Sequence, residues 1–350
     1  MNKKSSYNVA IVGATGAVGK QILRLLEERK FPVNNLKLLS SSRSKGTIIN
    51  FKGNDLVVEE ATPESFIDID FALFSAGGSV SKALAHSAVL EGAIVIDNTN
   101  AFRMEQSVPL IVPEVNIDAA KNHNGIIANP NCSTIQMVTA LKPLYDKYGI
   151  EKIIVSTYQA VSGAGIKAIN ELVNQTKQFI NNEEVTKEVL PVSALPVKKQ
   201  IAFNAIPQID VFEENGYTLE EMKMVKETKK IFNDQSIKVT ATCVRIPVLF
   251  GHSESVYVEL KKDFDLNDVK SLLSNMSGVV LLDNPNIQEY PTAVDSAGKI
   301  EVFVGRLRRD LDNPRGLNMW IVSDNLLKGA AWNAVQIAEK IIGFEKHDSK

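Results

Sequence analysis

Cys132, in Asn131-Cys132-Ser133-Thr134, offers the most distinctive chemistry in this chain. It stands between an apolar, strand-like run (residues 125–130) and a run of helical character that begins at Ser133. That order sets the thiol at a helix N-terminus, where unpaired N–H groups and the macrodipole favour negative charge. The thiolate is the nucleophilic form of cysteine, and a helix N-terminus is one of few settings that produce it near neutral pH. A small packed residue is the competing reading, because free cysteines are more often buried than reactive. The rest of the chain has to choose between them.

Of four histidines, His86 and His123 fall on or beside polar helix surfaces and His347 lies in the C-terminal tail. His252 alone sits beside glycine at an expected strand–strand reversal, where a side chain can enter a cleft. Arg245 interrupts the apolar strand 240–247 and is costly there unless it meets an anion. A substrate carboxylate or an internal Asp or Glu would serve equally. Cys243 shares its face by strand parity and reads as packed. Gln159, near the end of another strand, can orient a substrate or a water. Arg103 and Lys223 are further anion-binding candidates, although Glu220 and Lys223, at i, i+3 spacing, read by default as a solvated surface pair. Tyr148 and Lys152 match the Tyr-x-x-x-Lys spacing of short-chain dehydrogenases. Gly149 and the β-rich stretch from Ile153 exclude the helix that chemistry needs.

Two sets of elements must position these groups. Residues 8–12 form a short apolar strand followed by Gly13-Ala14-Thr15-Gly16-Ala17-Val18-Gly19. An amphipathic run with Ile22, Leu25 and Leu26 breaks before Pro32, and a second strand covers residues 36–40. This is one βαβ unit, with glycines suited to a tight turn and a close approach of pyrophosphate to a helix N-terminus. An NAD site would place Asp or Glu at the end of the second strand. The chain instead has Ser40-Ser41-Ser42-Arg43-Ser44, which suits the 2′-phosphate of NADP or, alternatively, a plain polar loop. Strands at 71–74 and 94–97 flank a helix at about 80–90, and Ser75–Ser79 makes a second glycine turn. The alternation predicts a Rossmann-type doubly wound parallel sheet.

Beyond Cys132 the pattern changes. A strand at 153–161 ends in Ser162-Gly163-Ala164-Gly165, and a helix covers 166–180. Strands at 238–249 and 255–262 are joined through Gly251-His252, which reads as a tight reversal, and others follow at 278–282, 301–308 and 317–322. These predict an α+β domain with a mostly antiparallel mixed sheet and helices on one face. Pro143 should kink or end the cysteine helix early. A final helix covers 325–342. The expected domains are residues 1–131, completed by 325–350, and residues 132–324. The 350 residues carry a formal net charge of -2 and two cysteines far apart in sequence, with no CxxC pattern. That excludes a nucleic-acid or acidic-membrane partner, a disulfide framework and a metal site of that type. No stretch is long enough to span a membrane, and a cytoplasmic enzyme is expected.

Taken together, Asn131–Thr134, Ser156–Gly165, Cys243–Pro247 and Gly251–Ser253 resemble the aspartate-β-semialdehyde dehydrogenases along nearly the whole chain. The resemblance implies Cys132 as nucleophile and acyl-thioester carrier, with His252 as acid/base and Asn131 placing the thioester carbonyl. Gln159, Arg245 and Glu220 would hold the substrate, with Arg245 on its carboxylate. Arg103 and Lys223 would bind inorganic phosphate. Gly13, Thr15, Gly16, Ala17, Val18, Arg43, Ser44, Ser162, Gly163 and Asn325 would contact NADP. A homodimer or homotetramer and a place in lysine, diaminopimelate, methionine and threonine biosynthesis are also implied. The chemistry is self-consistent: thiolate addition to the aldehyde, hydride loss, then cleavage of the thioester by phosphate to aspartyl phosphate, all reversible. The proton traffic suits a histidine that titrates near neutrality. Rival readings are N-acetyl-γ-glutamyl-phosphate reductase and a non-catalytic NADP-binding protein.

Overall fold

The structure, a computed structural model, describes residues 4–343 and divides into two compact units, 1–131 with 330–350, and 132–329. His347 lies outside the described residues.

The first unit is built on a six-stranded parallel sheet. Its strands are β1 (Tyr7–Val12), β2 (Val33–Ser40), β5 (Glu59–Glu60), β6 (Phe71–Phe74), β7 (Ile94–Asp97) and β8 (Ile126–Ala128), in the order β5-β2-β1-β6-β7-β8. A two-stranded ladder, β3 (Ile48–Phe51) with β4 (Asn54–Val57), stands apart from it. β1, β6 and β7 are buried almost throughout, as strands covered on both faces must be. Helix α1 (Ala17–Glu28) buries Ile22, Leu25 and Leu26, the stripe its period predicts. Helix α2 (Gly78–Leu90) links β6 to β7, and the short α3 (Pro113–Asn116) precedes β8. The strand order reverses direction beside β1, so the loops after β1 and β6 border the crevice where such sheets take ligands.

The second unit carries a mixed sheet with the order β10-β9-β11-β14-β13-β12. Its strands are β9 (Ile150–Gln159), β10 (Lys238–Arg245), β11 (His252–Leu260), β12 (Val279–Leu281), β13 (Val302–Arg309) and β14 (Gly316–Ser323). β10 runs parallel to β9 and β12 to β13, while the other three pairings are antiparallel. The expected reversal at Gly251-His252 is therefore not a hairpin: β9 lies between β10 and β11, and His252 opens β11 rather than a loop. Helices α4 (Cys132–Tyr148), α6 (Leu219–Ile231) and α7 (Leu266–Asn275) cover one face of this sheet. Helix α5 (Ile166–Ile180) packs through Ala168 and Leu172 on a separate small core with Leu190, Ile201 and Ile206. The short α8 (Ala293–Ser296) lies beside β14.

Pro143 does not end α4, which continues to Tyr148. Pro143 costs one backbone hydrogen bond, but Leu144 and Tyr148 beyond it are buried, so packing carries the last turn. The final helix, α9 (Trp332–Ile342), starts later than its sequence pattern, after a π-helical turn at Leu327–Ala331. It returns to the first unit, where Arg29 Nε meets Glu339 Oε1 at 2.7 Å and Asn333 Nδ2 donates to the Ile111 carbonyl.

Candidate active site and nucleotide groove

In the second unit, strand register alone assembles most of the reactive groups. Arg245 of β10 is paired with Gln159 of β9, and His252 of β11 with Ser323 of β14. Gln159 and His252 then meet side by side, their Nε2 atoms 3.4 Å apart. All four side chains are buried on one side of the sheet. Cys132 opens α4, and its thiol belongs to the electrostatic surroundings of Arg245. Glycine leaves room for these side chains at two neighbouring points. A Cβ on Gly163 would sit 3.1 Å from Arg245 Nη1 and 3.3 Å from the His252 ring, and one on Gly329 would sit 2.6 Å from Cys132 Cβ.

Arg245 donates from Nη1 to the Ala160 carbonyl at 2.7 Å, while its buried Nε has no partner. Burial lowers its pKa, and nearby Glu220 works the other way. A guanidinium in this setting with a donor to spare is suited to a carboxylate. Glu220 is buried rather than on the surface: its Oε1 accepts from Gln159 Nε2 at 3.2 Å and its Oε2 from Lys223 Nζ at 3.1 Å. Burial opposes the Lys223 charge, but Glu220 and Asp210 outweigh it and hold the ammonium above its ordinary value. Asp210, which bonds Lys223 at 2.9 Å, has no signal in sequence, for it lies in a loop without regular structure.

His252 departs from the near-neutral titration expected. Complete burial and then the Arg245 charge push its pKa down to about 3, against an opposing pull from Glu220. Its Nδ1 accepts from the Ala160 N–H at 3.1 Å, so the neutral ring carries its proton on Nε2. Cys243 is fully buried beside Met224, and burial raises its thiol pKa strongly, which suits a packed residue and not a nucleophile. Ser162 and Asn325 hydrogen-bond each other, and Asn325 Oδ1 also accepts from the Gly251 N–H. These bonds tie residues 325–329 to the second unit.

The first unit holds a groove of about 700 Å³ lined by Gly13, Thr15, Gly16, Ser40–Arg43, Ser75 and Ala76. Gly13 has φ +94°, and a Cβ there would lie 2.9 Å from the Ser75 backbone; a Cβ on Gly19 would lie 2.2 Å from the Gly13 carbonyl. The turn and α1 therefore pack closer than any other residue allows. The first turn of α1 has no acidic residue and Gly16 supplies no side-chain cap, so its N–H groups are open to an anion. Three serine hydroxyls and the Arg43 guanidinium on the rim suit a further phosphate. These residues fit a phosphorylated dinucleotide. Ser44 lies beside the rim, its Oγ 3.5 Å from Thr15 Oγ1. One feature was not legible: β5 brings the Glu60 carboxylate next to Ser40 and into the same groove. Arg103 is buried, with Nε on the Asn129 carbonyl and Nη2 on that of Asn98. Among the described residues, no cluster of three or more His, Cys, Asp or Glu could hold a metal ion, and no helix is long and apolar enough to cross a membrane.

Residues 8–123 match the family model "Semialdehyde dehydrogenase, NAD binding domain", and residues 141–328 match "Semialdehyde dehydrogenase, dimerisation domain". The chain is 60% identical to the aspartate-semialdehyde dehydrogenase of Bacillus subtilis, over 95% of this chain and 97% of the relative. It belongs to the aspartate-semialdehyde dehydrogenase family. Among solved structures it is similar to aspartate semialdehyde dehydrogenase II of Vibrio cholerae complexed with ASA. That match has a TM-score of 0.93 and 49% identity over 97% of this chain and 99% of the other. A more distant family structure, from Candida albicans with NADP, has a TM-score of 0.73 and 26% identity over 97% and 100%. The parallel Rossmann-type sheet and the mixed sheet of the second unit are the folds expected for this family, and the first unit is its nucleotide-binding domain.

Proposed function

We propose that this protein interconverts L-aspartate 4-semialdehyde and L-4-aspartyl phosphate through an acyl-thioester on Cys132, with NADP and inorganic phosphate as co-substrates. The buried Arg245, with a free Nε beside Gln159 and Glu220, carries the reading: it supplies a carboxylate clamp in the same row of side chains as His252. The B. subtilis and V. cholerae relatives support the substrate, and the NADP of the C. albicans relative supports the cofactor.

Arg245 grips the substrate carboxylate, and Glu220, through Gln159, places the free amino end. Cys132 adds to the aldehyde carbon as thiolate, forming the C–S bond and leaving an alkoxide. His252, with its proton on Nε2, donates to that oxygen, and Asn131 supports it from the start of α4. NADP held in the groove would supply the hydride acceptor in this direction, and NADPH the hydride donor in the other. Arg103 and Lys223 serve phosphate, which attacks the thioester, forms the acyl phosphate and releases the Cys132 thiolate. In the groove, Thr15 to Val18 and Gly13 receive the pyrophosphate, and Arg43 with Ser44 the 2′-phosphate. Ser162, Gly163 and Asn325 complete the cofactor's surroundings.

The second unit assembles the protein as a homodimer through the sheet face that α4, α6 and α7 leave uncovered. Ile154 there is 39% exposed, and the Tyr158 and Trp320 rings lie 5.4 Å apart.

The test is absorbance at the NADPH band with NADP, phosphate and aspartate semialdehyde supplied together. Phosphate-dependent NADPH formation is expected, and its loss in Cys132→Ala. Turnover that survives in that variant removes Cys132 from the mechanism. A parallel run with NAD weighs Arg43 against Glu60.

A further inference from the structure

Glu254 lies two residues beyond His252 on β11, fully buried, with no hydrogen-bond partner for either carboxyl oxygen. Strand alternation turns it to the same side as His252, and register sets it between Thr157 and Ile321. The polar side chain its carboxyl interacts with is Gln136 of α4, whose own amide nitrogen and oxygen have no hydrogen-bond partner either. Gln136 follows Cys132 by one helical turn, on the same face. The two side chains thus meet one step along the sheet from the row that holds His252, one helical turn beyond Cys132.

Cys243 of β10 interacts electrostatically with Glu254; Arg245 and His252 stand in the adjoining row, and Cys132 lies one helical turn before Gln136. None makes an ion pair with Glu254 among the described residues. A buried carboxylate without a counter-charge is costly, and burial pushes this carboxyl well above the ordinary range. A neutral carboxylic acid and a primary amide are complementary partners: the acid O–H donates to the amide oxygen while the amide N–H donates to the acid carbonyl. A carboxylate would accept the N–H and leave the amide oxygen unpaired. Rotation about the two terminal torsions, which are broad and soft, is the adjustment that closes both bonds.

We propose that Glu254, as a neutral acid, pairs with Gln136 and so fixes the first turn of α4, positioning Cys132 against His252 without adding negative charge beside the thiol. The pair acts through Cys132 and touches no substrate, so these are positioning residues. The proposal rests on Cys132 as the nucleophile; the Cys132→Ala experiment tests that reading by itself.

Glu254→Gln preserves neutrality and two hydrogen bonds, as an amide–amide pair. Its kcat and the pH profile of Cys132 alkylation are expected to match wild type. A folded Glu254→Gln protein that loses turnover, or whose alkylation profile moves, overturns the neutral-acid assignment. The double variant Glu254→Leu/Gln136→Leu removes both polar partners at once and should stay folded. Its kcat is expected to fall about tenfold or more with KM little changed, since misplacement of a reacting group costs rate rather than binding. A wild-type kcat there overturns the positioning role. The wild-type protein supplies a measurement independent of any variant's folding. Its infrared spectrum at neutral pH in heavy water should contain a protonated-carboxyl band, and absence of that band overturns the proposal.

Discussion

His252 shows how far a residue's surroundings can move it from its usual chemistry. The sequence marks it as a candidate, because a histidine beside a glycine at a strand end has a way into a cleft. The sequence does not tell that the ring is completely buried or that Arg245 lies alongside, and those two facts keep the ring neutral. An ordinary histidine limb near pH 6.5 is therefore expected to be missing from the pH profile of kcat/KM. Stability carries the same signature with a definite sign. The folded pKa is about 3 against an ordinary 6.5, so below 6.5 the unfolded chain takes up a proton that the folded one refuses. Folded stability should fall as pH falls through that window, by up to about 1.4 kcal/mol per pH unit. In His252→Gln that component of the slope should vanish; identical pH–stability curves for the two proteins would refute a buried neutral ring. Glu220 and Lys223 teach the complementary lesson. Their i, i+3 spacing looks like solvated helix surface, and only the burial of that face against Gln159 makes them part of the site.

At the scale of elements, what the sequence reveals best is periodicity and what it hides is adjacency. The bounds Ile166–Ile180 of α5 and the cores of β1, β6 and β7 follow from apolar period and glycine punctuation. The insertion of β9 between β10 and β11 does not, because a short glycine connection is compatible with a hairpin as well as with strands that flank a third. Nor does the run through Pro143, where burial of the final turn overrides a local penalty. The glycine loop makes its own prediction. In Gly19→Ala the added methyl group meets the Gly13 carbonyl at 2.2 Å, backbone against backbone, so α1 must shift away from the turn. A stability loss of about 1–3 kcal/mol is expected, the usual range for overpacking. Weaker NADP binding by fluorescence titration should accompany it while the Cys132 alkylation rate is retained. Unaltered cofactor affinity would mean that close packing of α1 on the loop is not what shapes the groove.

For the whole molecule, the chain divides into a nucleotide-binding unit and a unit that holds Cys132, Arg245, His252 and an open sheet face. Ile154 on that face is the place to test assembly. Ile154→Arg would bury an uncompensated charge between two copies, a cost of about 3–5 kcal/mol. Sedimentation should then find a dimer for wild type and a monomer for the variant; an unchanged dimer would put the interface elsewhere. The reactive row has a temporal consequence as well. Its members come from β9, β10, β11 and β14, and β14 is both the last strand among the described residues and an interior one. A ribosome will have exposed Cys132 long before Arg245, His252 or Ser323 has been synthesised. Until those strands have been made, Cys132 is a thiol on a nascent chain, without the buried neighbours that the folded second unit gives it.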